Sequence, residues 1–532
     1  MKRNFSIVSS RTLFSIGLLV LLAALFFWRI ITPNASDRAM FPPGDFSDQF
    51  YAFRLYEARA FAQGRIPLWS DDYNAGHPFL ADIQAAVFYP PALINVLLYA
   101  WLRPGEFSFL SLELEAILHF ILAGAFTFLF ARLVLQDEAG AFVSAIVFMY
   151  GGYLTSYPPL QLAILETATW LPLALYFLHK ATLVNAGDSD RRRRWQNYVY
   201  AGLVLGIAAL AGHPQTFLFV VYACAIYFAY RVIHAHVVNH PDNASLLIAL
   251  FPFVPVLLIA SSVAAVQLIP SLEYMQLSTR QAISFSEAAR GLATLDILQF
   301  ILPGFVSAFA SPLYIGVLPL WLAAVAVARG NRDAFFFAAL GAGSLLLAFG
   351  YYVFAYAVFF NFAPGFGLFR QQERLALVVS FSLALLAGFG MRSLGPREPV
   401  RLLSRHASFV TRLWALLPMG AVVSGVMLTA FYLAGLQKES GRLAFLGDRA
   451  GLMVLLFVLA TVLVGAYLRI RMTARTFAFL AIVFIAFDLF SINEPANKAV
   501  PYERYPLASL FAPLNTDESV TGRVVNEADL PG

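Results

Sequence analysis

The chain has 532 residues, of which 60% are hydrophobic and 13% charged, with 51 phenylalanines. A soluble domain carries about 25% charged residues. This composition excludes that class and places the chain among polytopic helical membrane proteins. Apolar runs of roughly twenty residues recur from end to end, each long enough to cross a ~30 Å hydrocarbon core. The alternating ten-residue strands of a membrane barrel are absent. The formal net charge of +5 does not indicate nucleic acid, because the basic residues gather at helix ends, where membrane topology explains them. Cys224, the single cysteine, has no partner for an intramolecular disulfide.

The first apolar stretch, Leu13 to Ile31, is long for a cleaved signal sequence and reads as an uncleaved spanning helix. Lys2, Arg3 and Arg11 place its start in the cytoplasm. Residues 32–106 mix charge, proline and aromatics and read as a large first external loop, with an interfacial helix near 84–102. Spans follow near 107–131, 139–155 and 161–183, the last returning to the run Arg191–Arg194. Further spans are expected near 198–211, 215–234, 245–269, 312–328, 334–356, 373–391, 412–436, 450–468 and 475–491. Arg231, Arg329 with Arg332, the group Arg392, Arg397, Arg401 and Arg405, and Arg469 with Arg471 then all fall on the cytoplasmic side. The expectation is an all-α multi-spanning domain over residues 1–491 with about thirteen spans, 84–102 and 297–310 reading equally as re-entrant or spanning. An odd count leaves the polar tail, 492–532, outside. That tail either packs on the external loops or begins a longer external domain.

The external side collects the residues that could carry chemistry. In GDFSDQF, Asp45 and Asp48 stand three apart just beyond the first span. Asp45 or Ser47 could cap a helix running through QFYAFRLYEARAFAQG. Either carboxylate could also serve as a general base or metal ligand. Asp71 and Asp72 beside Asn74 fit a plain turn. Glu166 lies inside an apolar helix, where an ionisable residue is by default a functional hypothesis. Glu113, Glu115 and His119 lie within the second span, as a structural pair or as a relay. RQQER sets Arg370 and Arg374 four apart on one helical face, an arrangement suited to phosphate or to interfacial snorkelling. Arg280 and Arg290 are weaker versions of the same idea. His213 reads as a loop histidine, and His234, His236 and His240 lack the companions of a metal site. GAGS at 341–344 reads as small-residue helix packing.

PGDFSDQFYAFR, GRIPLWSDDYNAGHPFLADIQAAVFYPP, ETATWLPLAL, AGHPQTFLF, QLIPSLEYMQLSTR and LFRQQERLALVVSFSLALLAGFG together resemble the YfhO-like family of bacterial membrane proteins, grouped with the GT-C glycosyltransferases. The resemblance covers nearly the whole length. It implies a GT-C-like fold in the bacterial cytoplasmic membrane, with the N-terminus cytoplasmic and the C-terminus external. It also implies an inverting enzyme that moves a sugar from a polyprenyl-phosphate carrier to a cell-envelope glycan or glycolipid acceptor on the outer face. By that resemblance Asp48 or Asp45 is the catalytic base, and Glu166 assists the acceptor or a metal. Arg370, Arg374 and Arg280 meet the carrier phosphate, and Mg²⁺ or Mn²⁺ on Asp45, Asp48 and Glu166 stays open. A cytoplasmic-side polyprenyl-phosphate glycosyltransferase would supply the donor. The alternatives are a transporter or flippase of lipid-linked saccharides, resting on Glu113, Glu115 and His119, and a non-catalytic membrane scaffold. No nucleic-acid partner is expected.

Overall fold

The computed structural model describes residues 10–42, 44–71, 76–156, 158–183, 188–239, 246–277, 283–305, 311–395, 412–438, 440–469, 472–493 and 500–501. Lys2, Arg3, Asp72, Asn74, His240, Arg280, Arg397, Arg401, Arg405 and Arg471 lie outside the described residues.

Because lipid offers backbone groups no hydrogen-bond partner, an apolar chain in a membrane satisfies them within helices. Eight described helices are long and apolar enough to cross a membrane: Phe109–Leu135, Leu162–Leu183, Pro214–His236, Ile248–Gln276, Gln372–Ser393, Arg412–Lys438, Gly441–Arg469 and Ala474–Asn493. Ser10–Phe26 and Val317–Ala328 are shorter and apolar. Helices Glu138–Tyr150, Asp188–Leu210 and Arg332–Ala348 occupy the other segments in which spans were expected. The protein is an all-α, multi-pass membrane protein. Among the described residues, strand pairing is confined to Ala39–Met40 against Val500–Pro501, antiparallel, with an isolated bridge between Ser70 and His77. Chain beyond the last helix therefore returns to the first large loop. The segment near 297–310, expected as re-entrant or spanning, overlaps a short 3-10 turn, Thr294–Phe300, and residues 306–310 lie outside the described set.

The core is organised around Ala376–Ser393, almost wholly buried. It packs along Glu138–Tyr150, Val317–Ala328 and Arg332–Ala348. Small residues make that closeness possible. A Cβ on Gly388 would stand 2.6 Å from the carbonyl oxygen of Gly140, and one on Gly390 would stand 2.0 Å from that of Leu322. In the GAGS run, Gly341 faces Ser382 closely, whereas Gly343 has open space.

Two sides of the bundle can be told apart by chemistry. On one, Arg132 at the end of Phe109–Leu135 hydrogen-bonds Thr12 at the start of Ser10–Phe26. There too Arg231 donates to Thr182, Tyr230 donates to Asp333, and the Arg469 guanidinium lies 4.6 Å from the centre of the Trp414 ring. The other side carries the first large loop, which begins beyond the short helix Trp28–Ile31. That loop includes helices Ala52–Ala62 and Pro90–Leu102. The second of these exposes Ile94, Leu98, Trp101 and Leu102 and lies where an interfacial helix was expected. The arginine run Arg191–Arg194 is not a separate loop, since the helix Asp188–Leu210 runs through it.

One polar device inside the bundle sets the start of a helix. Gly316, with φ 94°, turns the chain into Val317–Ala328, and the fully buried Asp488 of Ala474–Asn493 accepts from the Val317 N–H at 2.8 Å. Tyr314 donates to the other oxygen of Asp488. The helix thus takes its N-terminal cap from a distant span. Replacing Asp488 by Ala removes the acceptor for both donors and lowers stability by about 2–4 kcal/mol. Unfolding of detergent-solubilised protein measures this, and an unchanged midpoint contradicts it.

Candidate functional site

The first loop opens its helix with an unusual turn. Phe46–Tyr51 form a π-helical turn that runs directly into Ala52–Ala62, a form frequently found at functional sites. Phe46, Ser47 and Phe50 point inward, leaving Asp45 and Asp48 exposed. The capping reading of Asp45 is corrected here, because it makes no side-chain cap bond. Its Oδ2 instead accepts from Gln161 Nε2 at 3.0 Å, across to the second loop, the stretch that leads into the helix Leu162–Thr169. Asp48 Oδ1 accepts from the neighbouring Ser47 hydroxyl at 2.6 Å.

Beneath these acids lies a buried charge cluster. Arg54 is 0% exposed, and so are Glu57 and Glu166, with Glu115 at 4%. Arg54 Nη1 donates to Glu57 at 3.3 Å and to the Ala85 carbonyl at 2.9 Å. Its Nε and Nη2 both donate to Glu115 Oε1 at 3.3 Å, and Nη2 lies 3.7 Å from Glu166 Oε1. Glu115 Oε2 accepts from Asn95 at 2.7 Å. Neither oxygen of Glu166 has a hydrogen-bond partner. Burial pushes the Glu57 carboxyl up to about 7, Arg54 pulls it back and Glu115 adds to the rise. Glu113 accepts from the Phe41 N–H at 3.0 Å. His119 Nδ1 lies 2.6 Å from the Glu115 carbonyl oxygen and its Nε2 lies 2.6 Å from Tyr89 OH, which in turn accepts from Trp170 Nε1 at 2.9 Å. The intramembrane acids and His119 thus tie the first loop to the bundle.

Arg370 and Arg374 flank a sharp turn at Gln371. Gln371, with φ 65°, breaks the chain between Arg370 and the 3-10 turn Gln372–Leu375. The two do not share one helical face, which corrects that expectation. Gln215 joins them instead, its Nε2 donating to the Arg370 carbonyl at 2.7 Å while its Oε1 accepts from Arg374 Nη1 at 2.6 Å. Arg370 is exposed, 3.7 Å from Glu287. The Gln372 N–H donates to the Arg290 carbonyl at 2.7 Å. His213 is not an open loop histidine. It is 5% exposed, its Nδ1 accepts from the Thr216 N–H at 3.1 Å, and burial together with Arg374 holds its imidazole well below the usual range. Gly212, just before His213, packs against the backbone of Ile83 and Gln84, and Gln84 donates to Gln161 at 3.4 Å.

Among the described residues, no three of His, Cys, Asp and Glu come together to hold a metal ion. Glu166 is fully buried beside a guanidinium, so Asp45, Asp48 and Glu166 do not fit as a three-ligand set. Asp71 accepts from Trp69 Nε1 at 2.9 Å, as a turn residue does. A cavity of about 530 Å³ opens between Val317–Ala328, Arg332–Ala348, Ala376–Ser393 and Leu416–Lys438. Its lining is almost wholly apolar and includes Trp321, Gly341, Leu345, Val379, Met419 and Phe457. The loop that carries Arg290 reaches this cavity through Phe300 and Ile301.

Glu57 gives this cluster a pH dependence. The folded chain keeps the Glu57 proton to higher pH than the unfolded chain does. Its contribution to stability is therefore complete below pH about 4.5 and is lost as pH rises through about 7. Relative to Glu57→Gln, the wild type loses about 3 kcal/mol across that window. Thermal unfolding of both proteins at a series of pH values measures the difference. A difference independent of pH contradicts it.

No family model matches this chain, and no curated protein matches it. Among solved structures it is similar to ArnT from Cupriavidus metallidurans bound to undecaprenyl phosphate, at 14% identity and a TM-score of 0.48, over 92% of this chain and 77% of that one. It is similar to the mycobacterial arabinofuranosyltransferase AftD at 13% identity and a TM-score of 0.43, over 77% of this chain and 27% of that one. It is also similar to the oligosaccharyltransferase AglB from Archaeoglobus fulgidus in complex with an inhibitory peptide and a dolichol-phosphate, at 12% identity and a TM-score of 0.41. That match covers 97% of this chain and 61% of AglB.

Proposed function

We propose that this protein is an inverting glycosyltransferase that moves a sugar from a polyprenyl-phosphate carrier to a cell-envelope hydroxyl acceptor, at the outer face of the bacterial cytoplasmic membrane. The observation that carries the reading is a chain of contacts that starts at Asp45, beside the exposed Asp48. It runs through Gln161 and Gln84 to Gly212, three residues before Gln215, which binds Arg374. A base and a phosphate-binding cation tied through one packed region are what transfer from a lipid phosphate needs. The apolar cavity one loop from Arg290 is suited to a prenyl chain, and it lies in the part of the molecule where such a chain would be dissolved.

In this mechanism one of Asp45 and Asp48 takes the proton of the acceptor hydroxyl. The acceptor oxygen forms a bond to the anomeric carbon from the face opposite the phosphate. The bond from that carbon to the phosphate oxygen breaks, and the polyprenyl phosphate leaves with the electron pair. Arg374, with Arg370 beside it, offsets the charge that develops on the phosphate. Glu166 is sealed from substrate and acts through Arg54, holding the first loop.

Transfer from a radiolabelled polyprenyl-phosphate sugar, with a panel of sugars and acceptors, tests the reading in membranes containing wild type or variants. Asp45→Asn with Asp48→Asn abolishes transfer by a factor of about 10² or more while the protein still inserts. Arg374→Ala raises the donor concentration needed for half-maximal rate by about tenfold. A double Asn variant that transfers as well as wild type overturns the reading.

A further inference from the structure

The two candidate acids differ in what holds them. Asp48 accepts from the Ser47 hydroxyl, on its own chain neighbour, so that bond moves with the turn and fixes nothing relative to the second loop. Asp45 is held from outside. Gln161 Nε2 donates to its Oδ2 at 3.0 Å, Gln84 Nε2 donates to Gln161 Oε1 at 3.4 Å, and Gln49 Nε2 donates to Gln84 Oε1 at 3.1 Å. The backbone N–H of Gln84 is itself pinned to Asp82 Oδ1 at 2.9 Å.

The direction of this chain is dictated by where it ends. An ionised carboxylate only accepts, so Gln161 must turn its NH₂ toward Asp45 and its carbonyl toward Gln84. Gln84 must then donate to Gln161 and accept from Gln49. A reversed amide anywhere would set two donors or two acceptors against each other. Gln161 is 7% exposed, which holds its amide in one orientation. Just beyond it, the helix Leu162–Thr169 carries Glu166, which faces Arg54. The amide therefore stands on the same buried cluster as the turn that carries the acids.

We propose that Gln161 is a positioning residue that aims Asp45 at the acceptor hydroxyl, and that Asp45 rather than Asp48 is the base. The inference rests on the glycosyltransferase reading above. A base must be fixed relative to the groups around the acceptor, because small misplacements of a reacting group cost large factors in rate. Asp45 meets that condition through a bond from a different element.

The experiment uses the full chain in lipid nanodiscs with the radiolabelled polyprenyl-phosphate sugar that the wild type accepts. It compares Gln161→Met, which keeps the length without the donor, Gln161→Glu, which sets a second carboxylate against Asp45, Asp45→Asn and Asp48→Asn. The expected result is a loss of about tenfold in kcat for Gln161→Met with the donor KM and the unfolding midpoint unchanged. Gln161→Glu loses more. Asp45→Asn loses about 10² or more in kcat, and Asp48→Asn loses less than Asp45→Asn. If wild type transfers and Gln161→Met has the wild-type kcat, the inference is wrong and the enzyme reading stands. It is equally wrong if the Gln161→Met loss follows KM or the unfolding midpoint, or if Asp48→Asn shows the deeper loss. A wild type that transfers no sugar of the panel overturns the reading and this inference with it.

Discussion

The arrangement of the loop side depends on one buried guanidinium. Arg54 keeps its charge under all ordinary conditions, and taking such a group out of water costs several kcal/mol unless its donors are met. Here they are met by Glu57 on its own helix, by Glu115 on a span and by the Ala85 carbonyl, with Glu166 close by from a second span. A hydrophobic plug could fill the same volume, but it would accept many relative placements of loop and bundle. The fork of Arg54 accepts few. The cluster thus works as a register mark, fixing the helix Ala52–Ala62 against Phe109–Leu135 and Leu162–Thr169.

From that mark the exposed acids follow. The π-helical turn Phe46–Tyr51 adds a residue to a turn that would otherwise continue Ala52–Ala62, and it sends three side chains into the core while Asp45 and Asp48 face outward. Phe46 packs edge-on against Phe41 and Phe109, so the turn is clamped by aromatic contacts as well as by charge. The strand Ala39–Met40, just before this turn in the chain, pairs with Val500–Pro501. Chain from after the last helix thus meets the segment before the acids, and Gln161 meets Asp45 itself.

Much of this architecture was legible in the residues. Long apolar runs report helices directly, because a membrane leaves the backbone no alternative, and a helix lies on each segment in which a span was expected. Glu115 and Glu166 were visible as acids inside apolar helices, which demand a partner. What could not be read was the partner. Arg54 lies in a loop segment 61 residues from Glu115 in sequence, and nothing local marks FYAFRLYEARAF as buried; the one hint was Glu57 three positions on, with aromatics on both sides of the arginine. Gln49, Gln84 and Gln161 were missed for a different reason. Amides carry no charge and follow no periodicity, so their alignment exists only in three dimensions. The arginine spacing misled because a regular helix does not run through Gln371, whose φ is positive and beside which Gln372 donates to Ala288, Tyr356 and Phe369.

The same side chain type thus takes two kinds of place in this molecule, and environment assigns them. Glu57, Glu115 and Glu166 are sealed from solvent around one arginine, where no acceptor could reach them and where their worth lies in holding elements together. Asp45 and Asp48 lie at the rim and are reachable. A reaction between a lipid-borne group and a water-borne one requires that division. Groups that hold must be dry, because a low dielectric strengthens their attraction and excludes competing water. Groups that exchange protons with an incoming hydroxyl must be wet enough to meet it. Placing holding charges and exposed acids on one continuous helical stretch, Asp45 to Glu57, satisfies both demands, and it explains why so apolar a chain keeps two layers of carboxylates around its first loop.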